Sequence, residues 1–587
     1  MPTMLMAVMI FSLAAPVSSN PGAGLPARQV LQAYDPTATK IEEGVSQVLA
    51  VNGTADFIID MTEQADLSPA YSMTDWNARG EWVYQTLLET AARTQKAVIA
   101  YLDGQGLKHQ SFFNGNEVYV YGGSLQTVQT FAAMPEVGRM RTPVTVYLDE
   151  PVLKAVGPEQ TSSQAITDWG ITDTNAPTFW STFGVKGDGI MVANIDTGVQ
   201  LNHPALVNQF KCPGQPNNPA CWYDPANNCG AAGACDDNGH GTHTIGTMVA
   251  KDDASLAYIA GMAPNAKWIA CKACDKSGSC SEASLNSCAD WILATGGSAA
   301  NRPDIVNNSW GGGSGDAWYQ AKVQALRAAG IFPAFSAGNQ GPSCDTMGDP
   351  GDYQESFASA AHDNTRSIAG FSSRGPSPFG DILYTKPNIS APGVSICSTV
   401  PTNGWSCGYS GTSMASPHTA GAVALLWSCN PTLKGNIDAT FQLLQNNTDA
   451  PPAGNCDAQP SGQGNYTFGY GYLNVLKAGI AICTNISAPS NLTAHPVSIK
   501  AIYLQWSDNS SGETGFKIER SPNGATGWVQ IGSVGTNVNT YADKGLIPNT
   551  TYYYLVRAYN AGGISDYSNV AHATTPLFIF WLPSLAR

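Results

Sequence analysis

Between residues 165 and 484, four apolar runs, "GIMVANID", "AKWIACKA", "PDIVNNSWG" and "GIFPAFSAGN", alternate with helix-like stretches such as "ASLNSCADWILAT" and "AWYQAKVQALRAAG". Strands that are apolar on both faces and separated by helices build a parallel sheet covered on both sides, so this region reads as α/β. In such sheets ligands gather at the carboxyl ends of the strands. Three of the runs end there on small and polar residues, "DTG", "SWGG" and "AGN".

At ~100–200 residues per domain, a chain of 587 residues holds several units. Residues 1–19 are apolar and end in small residues, which reads as a signal peptide, although a positive n-region is missing. Residues 20–155 lack cysteine and combine strand-like runs, "VYVYGG" and "TPVTVYLDE", with the helical "WVYQTLLETAARTQ". They are expected to form a small α+β domain that leads through the linker-like "GPEQTSSQAITD" into the α/β region, 156–484. Residues 487–576 turn to short β runs at sandwich-like spacing, and an apolar tail occupies 577–587. Its run "LFIFWLPSL" is shorter than the ~20 residues that span a bilayer, so no transmembrane segment is expected. The net charge of -15, with no cluster of Lys and Arg, argues against a nucleic-acid partner.

All 14 cysteines lie between Cys212 and Cys483. A dense, even set in an exported chain points to disulfides, and Cys212 to Cys221, Cys229 to Cys235 and Cys397 to Cys407 are close enough to pair locally. "CKAC" has the form of a redox or zinc motif, but no second CxxC or flanking His pair accompanies it.

The stretch "YSGTSMASPHTAG" offers the serines Ser410, Ser413 and Ser416 beside His418. A serine needs a base, and the base an orienting carboxylate. A helix is expected to start near Thr412, with Pro417 tolerated in its first turn. Five residues along a helix is about 500°, so His418 points away from Ser413 and is expected to pack under the helix. His495 and His572 fall in the β-sandwich region, and His203 and His362 sit in no suggestive frame. His240 opens "HGTHTIGTMVA" at another helix start, where partial exposure is expected. Asp196 ends the apolar run "IMVANI", where backbone N–H groups of "TGV" can hold its carboxylate. The order Asp196, His240, Ser413 is one of the known orders of the Ser-His-Asp triad. His240 and His243 form an HxxH, but the glutamate of a zinc protease is missing between them. His243 is expected to be structural and no metal site is expected.

"NIDTGV", "NGHGTHTIGT", "SAGNQG" and "SGTSMASPHTAG", four motifs in order, resemble the signature segments of the subtilisin family of serine proteases. "GMAPNAKWIACK" and "NNSWGG" are similar to its bacillopeptidase F-like branch. The resemblance implies a serine endopeptidase with nucleophile Ser413, general base His240, orienting carboxylate Asp196 and oxyanion-hole amide Asn339. It implies substrate binding by Ser309, Trp310, Gly311 and Gly312 and by Ser336, Ala337 and Gly338. Trp310 has two readings, a pocket wall or core packing. No cofactor is required; relatives bind calcium, so the resemblance leaves room for a structural calcium ion, whose site stays unknown because their usual loop is not matched. Residues 20–155 resemble a subtilisin-type propeptide, which implies a self-processing zymogen, an intramolecular inhibitor and secretion. "LIPNTTYYYLVRAYNAGG" resembles a fibronectin type III domain through Leu546, Pro548, Thr550 and Tyr552, with Trp506 as its core tryptophan. That implies a spacer or adhesion module able to bind a polymer or cell surface. The implied partners are thus protein or peptide substrates and the chain's own propeptide.

Overall fold

The structure, a computed structural model, describes residues 40–148 and 166–577, apart from 253–255, 257, 378, 380–383, 457–463, 484–485, 511–512 and 561–562. The expected signal peptide, most of the expected linker and nearly all of the C-terminal tail lie outside the described residues.

The N-terminal part is α+β, as its sequence pattern predicts. Strands His109–Phe112, Glu117–Ser124, Thr54–Met61 and Val137–Arg141 form one antiparallel sheet in that order. The inward residues Phe57, Ile59, Val118, Val120 and Met140 meet Val98, Leu102, Val128 and Phe131 from the covering helices in a core of their own.

The central part is built on a seven-stranded sheet in which every neighbouring pair is parallel. Its order is Ile389–Pro392, Phe357–His362, Phe332–Ser336, Ile305–Asn308, Met191–Asp196, Lys267–Lys272 and Trp222–Tyr223. The expected apolar runs supply the four strands at its centre. Helix Thr412–Cys429 is buried from Thr412 through Trp427. A helix apolar all round has no solvent face and must sit inside the fold; this one packs on the sheet strands and on helix His240–Val249.

All 14 cysteines are paired. The three expected local bridges form, Cys212–Cys221, Cys229–Cys235 and Cys397–Cys407. The "CKAC" cysteines do not pair with each other: Cys271 joins Cys288 and Cys274 joins Cys280. Cys344–Cys456 and Cys429–Cys483 close long loops.

From Ser490 the chain forms an antiparallel sandwich. Trp506 is buried against Phe516, and the Ile547 N–H donates to Tyr552 Oη at 3.1 Å, a tyrosine corner. Among the described residues no helix is long and apolar enough to cross a membrane.

Candidate active site

Asp196 is the last residue of the strand Met191–Asp196, and the Thr197 N–H donates to its Oδ1 at 2.7 Å. Its carboxylate faces His240, whose Nδ1 lies 2.8 Å from Oδ1 and 3.0 Å from Oδ2. The Thr244 hydroxyl adds a contact to Oδ2 at 3.3 Å. Donation from Nδ1–H places the imidazole in the tautomer whose Nε2 can accept a proton. His240 is only 2% exposed, not partly exposed as a helix start leads one to expect. The reason is tertiary cover: a Cβ on Gly239, just before it, would lie 3.3 Å from both Pro401 and the Tyr409 hydroxyl.

The His240 helix is held from below by Asp236. Asp236 Oδ1 accepts from the Thr197 hydroxyl and from the N–H groups of Asn238 and Gly239, and Oδ2 accepts from the N–H and hydroxyl of Thr242. A carboxylate at a helix N-terminus satisfies donors that have no intrahelical partner. Lys272, the register partner of Asp196 on the next strand, is buried, and its Nζ donates to Thr197 O at 2.5 Å and to Asp237 at 2.6 Å.

Ser413 sits in the first turn of its helix. Its Oγ donates to Ser309 O at 3.2 Å, and Ser309 Oγ donates back to Ser413 O at 2.9 Å. Pro417 lies in the second turn, not the first, and lacks the N–H that would have bonded Ser413 O, so the Ser309 hydroxyl takes its place. Asn339 Oδ1 accepts from the N–H and hydroxyl of Thr412, both at 2.9 Å, which turns Nδ2 outward. A Cβ built on Gly411 would lie 3.5 Å from Asn339 Nδ2 and 3.6 Å from Ser413 N, so these two donors flank one small space.

The other residues singled out from sequence gather nearby. The Gly338 N–H donates to the Thr412 hydroxyl at 3.2 Å, and Ser336 Oγ donates to Trp310 O at 3.5 Å. The Trp310 ring is 2% exposed and packs edge-on against Tyr319 and Phe335. Its ring therefore belongs to the core and does not wall a pocket. Ser309 and Ala337 are likewise buried, while Gly311 and Gly312 are partly exposed.

His418 is buried, its Nδ1–H donating to Met414 O at 2.8 Å, and burial lowers its pKa to about 4. His243 stacks on Tyr409 and is held near pKa 3 by burial. Both stay neutral and structural, as expected. Among the described residues no group of three acidic, His or Cys side chains is arranged to hold a metal ion.

Two features escaped sequence reasoning. A buried polar ladder runs beneath the site: Asn194 Nδ2 donates to Gly241 O and the Thr244 hydroxyl, Asn307 Nδ2 to Asn194 Oδ1 and Ser309 Oγ, and the Ser416 hydroxyl to Asn307 Oδ1. It links the His240 helix to the Ser413 helix through two strands. A second Ser-His-Asp set also exists, with His362 Nδ1 2.9 Å from Ser390 Oγ and Nε2 3.1 Å from Asp173. Ser390 and His362 are fully buried, so this set ties the helix Trp169–Asp173 to the sheet edge.

The subtilase family profile matches residues 187–472, and the fibronectin type III profile matches residues 487–574. Subtilisin DY of Bacillus licheniformis is 36% identical over 255 residues, covering 43% of this chain and 82% of that protein. The chain belongs to the subtilase family. The subtilisin of Bacillus pumilus is 33% identical to this subtilase over 266 residues, 45% of this chain and 86% of that protein. Bacillopeptidase F of Bacillus subtilis (strain 168) is 36% identical over 433 residues, 68% of this subtilase but 28% of the longer relative.

Proposed function

We propose that this subtilase is a secreted serine endopeptidase that forms an acyl-enzyme through Asp196, His240 and Ser413. The observation that carries the reading is the short, buried contact from His240 Nδ1 to Asp196, with the His240 helix packed against the helix whose first turn holds Ser413. Turning Ser413 Oγ from Ser309 O toward His240 lets the imidazole take its proton as Oγ attacks the peptide carbonyl. Asn339 Nδ2 and Ser413 N–H then donate to the oxyanion, in the space beside Gly411. The imidazolium, stabilised by Asp196, protonates the leaving amine, and a water repeats the sequence on the acyl-enzyme. Substrate lies extended along the backbone of Ser309–Gly312 and Ser336–Gly338 as an added strand.

The N-terminal part acts in this reading as a propeptide that folds with the enzyme and covers it until processed. Its strand Thr145–Tyr147 pairs antiparallel with Ser279–Ser281, an edge that could equally receive substrate. Residues 1–19 direct export. The fibronectin type III module serves as a spacer or as an adhesion module for a polymer or cell surface.

The test compares the wild type with Ser413→Ala for casein hydrolysis, loss of the N-terminal segment and labelling by a serine-directed phosphonate. The wild type should cleave, process itself and be labelled at Ser413, and the variant should do none of these. A wild type that neither cleaves nor labels would make the chain a binding protein on a silent protease fold. Turnover of esters without proteins would make it an esterase.

A further inference from the structure

Lys272 ends the strand Lys267–Lys272 and is fully buried, next to Trp268, Ile269, Ala270 and Cys271, which are all buried and apolar. A lysine is almost never taken fully out of water unless its charge is paired, because desolvating an ammonium is expensive. Lys272 and Asp196 are register partners on adjacent parallel strands. Side chains at partner positions project from one face of a sheet, so Lys272 stands on the face where Asp196 bonds His240. Its Nζ donates to Thr197 O at 2.5 Å, one residue past Asp196, and to Asp237 Oδ1 at 2.6 Å, three residues before His240. The chain that leaves Lys272 ties the same two segments again. The N–H groups of Ala273 and Cys274 donate to Asp196 O at 2.9 and 3.2 Å. Lys276 O accepts from Asn238 Nδ2 at 3.1 Å, and Asn238 Oδ1 accepts from the His240 N–H at 3.1 Å.

We propose that Lys272 is a positioning residue of the triad: its ammonium clamps the segment that carries Asp196 to the segment that carries His240, and its charge, paired with Asp237, opposes formation of the imidazolium. This holds on the reading of Asp196, His240 and Ser413 as the catalytic set. Lys272 bonds neither the imidazole nor Ser413, so it acts on the reaction only through placement and charge.

Placement and charge have separable signatures. The charged and titratable groups around the imidazole are Asp196 on its strand, Asp236 and Asp237 in the turn before the helix, His243 on the helix, Tyr409 over Gly239 and Lys272. Burial holds His243 near pKa 3 and pushes the Tyr409 hydroxyl up, so both are neutral while the enzyme works. The balance is therefore set by the carboxylates against Lys272. Replacing Lys272 by Met adds one net negative charge and favours the imidazolium. Replacing Asp237 by Asn adds one net positive charge and disfavours it. The Asn amide oxygen still accepts from Nζ, so that change leaves the clamp in place.

The test follows labelling of Ser413 by an uncharged serine-directed phosphonate, with kcat and KM on an uncharged peptide, from pH 5 to 9. It compares the wild type, Lys272→Met, Asp237→Asn and the double variant. An imidazolium cannot take the proton of Ser413, so each profile has an acid limb. Lys272→Met should lower the plateau about 10²-fold, in kcat more than in KM, and move the limb to higher pH. Asp237→Asn should lose less and move the limb to lower pH. The double variant restores the net charge without the clamp, so its limb should return to the wild-type position while its plateau stays low. A Lys272→Met profile that matches the wild type overturns the proposal, as do limbs that move the same way in both single variants. A lowered plateau with unmoved limbs overturns it as well, since the pair would then be structural only. Should the Lys272 variants fail to fold, the limb of Asp237→Asn decides alone. A wild type that is neither hydrolytic nor labelled at Ser413 would instead count against the endopeptidase reading.

Discussion

Ser309 and Ser413 exchange hydrogen bonds, each hydroxyl donating to the other's carbonyl oxygen. The exchange follows from Pro417, whose missing N–H leaves Ser413 O without its helical donor. The end of the strand Ile305–Asn308 is thereby bonded to the turn that holds Ser413.

Ser309→Ala is expected to leave Ser413 O buried and unsatisfied, at a cost of about 1–3 kcal/mol. It also removes a donor that holds the turn in register. Urea unfolding of the Ser413→Ala background, which avoids self-digestion, should show the lost stability. In the active protein kcat should fall more than KM rises, because the turn and not the groove is disturbed. An unchanged unfolding midpoint would show that another donor replaces Ser309.

The polar ladder and Asn339, the oxyanion donor of the proposed mechanism, make a contrast between stability and rate. Asn307→Ala removes the link between Asn194, Ser309 and Ser416 and strands buried polar atoms at each end, so it should destabilise the fold by several kcal/mol. Asn339→Ala leaves the Thr412 N–H without its acceptor but touches no ladder residue. It should cost about 10²- to 10³-fold in kcat, the range established for the equivalent donor in subtilisin, with KM nearly unchanged. Thermal unfolding and steady-state kinetics on both variants separate the two roles.

Much of this was legible in the chain because it is local. Apolar runs ending in "DTG", "SWGG" and "AGN" place strand ends, and Asp196 and His240 carry recognisable neighbours. Short spacings made Cys212–Cys221 and Cys397–Cys407 readable, whereas Cys344–Cys456 spans 112 positions and depends on how the chain returns to itself. The ladder was hidden for the same reason: Asn194, Asn307 and Ser416 come from two strands and a helix, and a lone asparagine in an apolar run looks like any other. Burial was misjudged at His240 because cover comes from Pro401 and Tyr409, more than 150 positions away in sequence. Trp310 left two readings open because a strand-end tryptophan can turn either way, and only Tyr319 and Phe335 decide it.

A buried charge cluster joins the N-terminal part to the sheet domain. Arg141 makes two hydrogen bonds to Glu282, at 2.6 and 3.0 Å, and also meets Asp60 and Glu117. Lys322, fully buried, pairs with Glu117, and Asn286 donates to the other oxygen of Glu117 at 2.9 Å. Lys322→Met strands Glu117 among Asp60 and Glu282 with Arg141 as its remaining cation, and breaking a buried pair costs about 3–5 kcal/mol. With the chain cut between residues 148 and 166 in the Ser413→Ala background, the two parts should co-elute on gel filtration for the wild type and separate for Lys322→Met. Arg93→Ala, which removes an exposed pair with Glu63 inside the N-terminal part, should leave co-elution intact.

Acid should act on the fold through His418 as well as through carboxylates. Burial holds His418 neutral down to about pH 4, whereas in the unfolded chain it takes a proton near 6.5. Below 6.5 the unfolded state therefore binds more protons, and stability drains away as pH falls toward 4, at up to about 1.4 kcal/mol per pH unit for this group. His243, held near 3 by burial, works in the same direction. Asp168 works in the opposite one. Burial raises it to about 7, so its contribution is complete below the usual carboxyl value and is lost as pH rises through 7. A Cβ on Gly170 would lie within 3.0 Å of both His418 and Asp168, so the two titrate side by side in one packed corner. The net profile of the parent is a compromise, and the informative quantity is a difference. His418→Gln removes the acid-sensitive base and should be less stable than its parent at pH 7. Its deficit, read from urea unfolding of Ser413→Ala chains at pH 4.5, 5.5 and 6.5, should shrink with each step down in pH. A deficit that stays constant would mean that His418 is protonated in the folded protein.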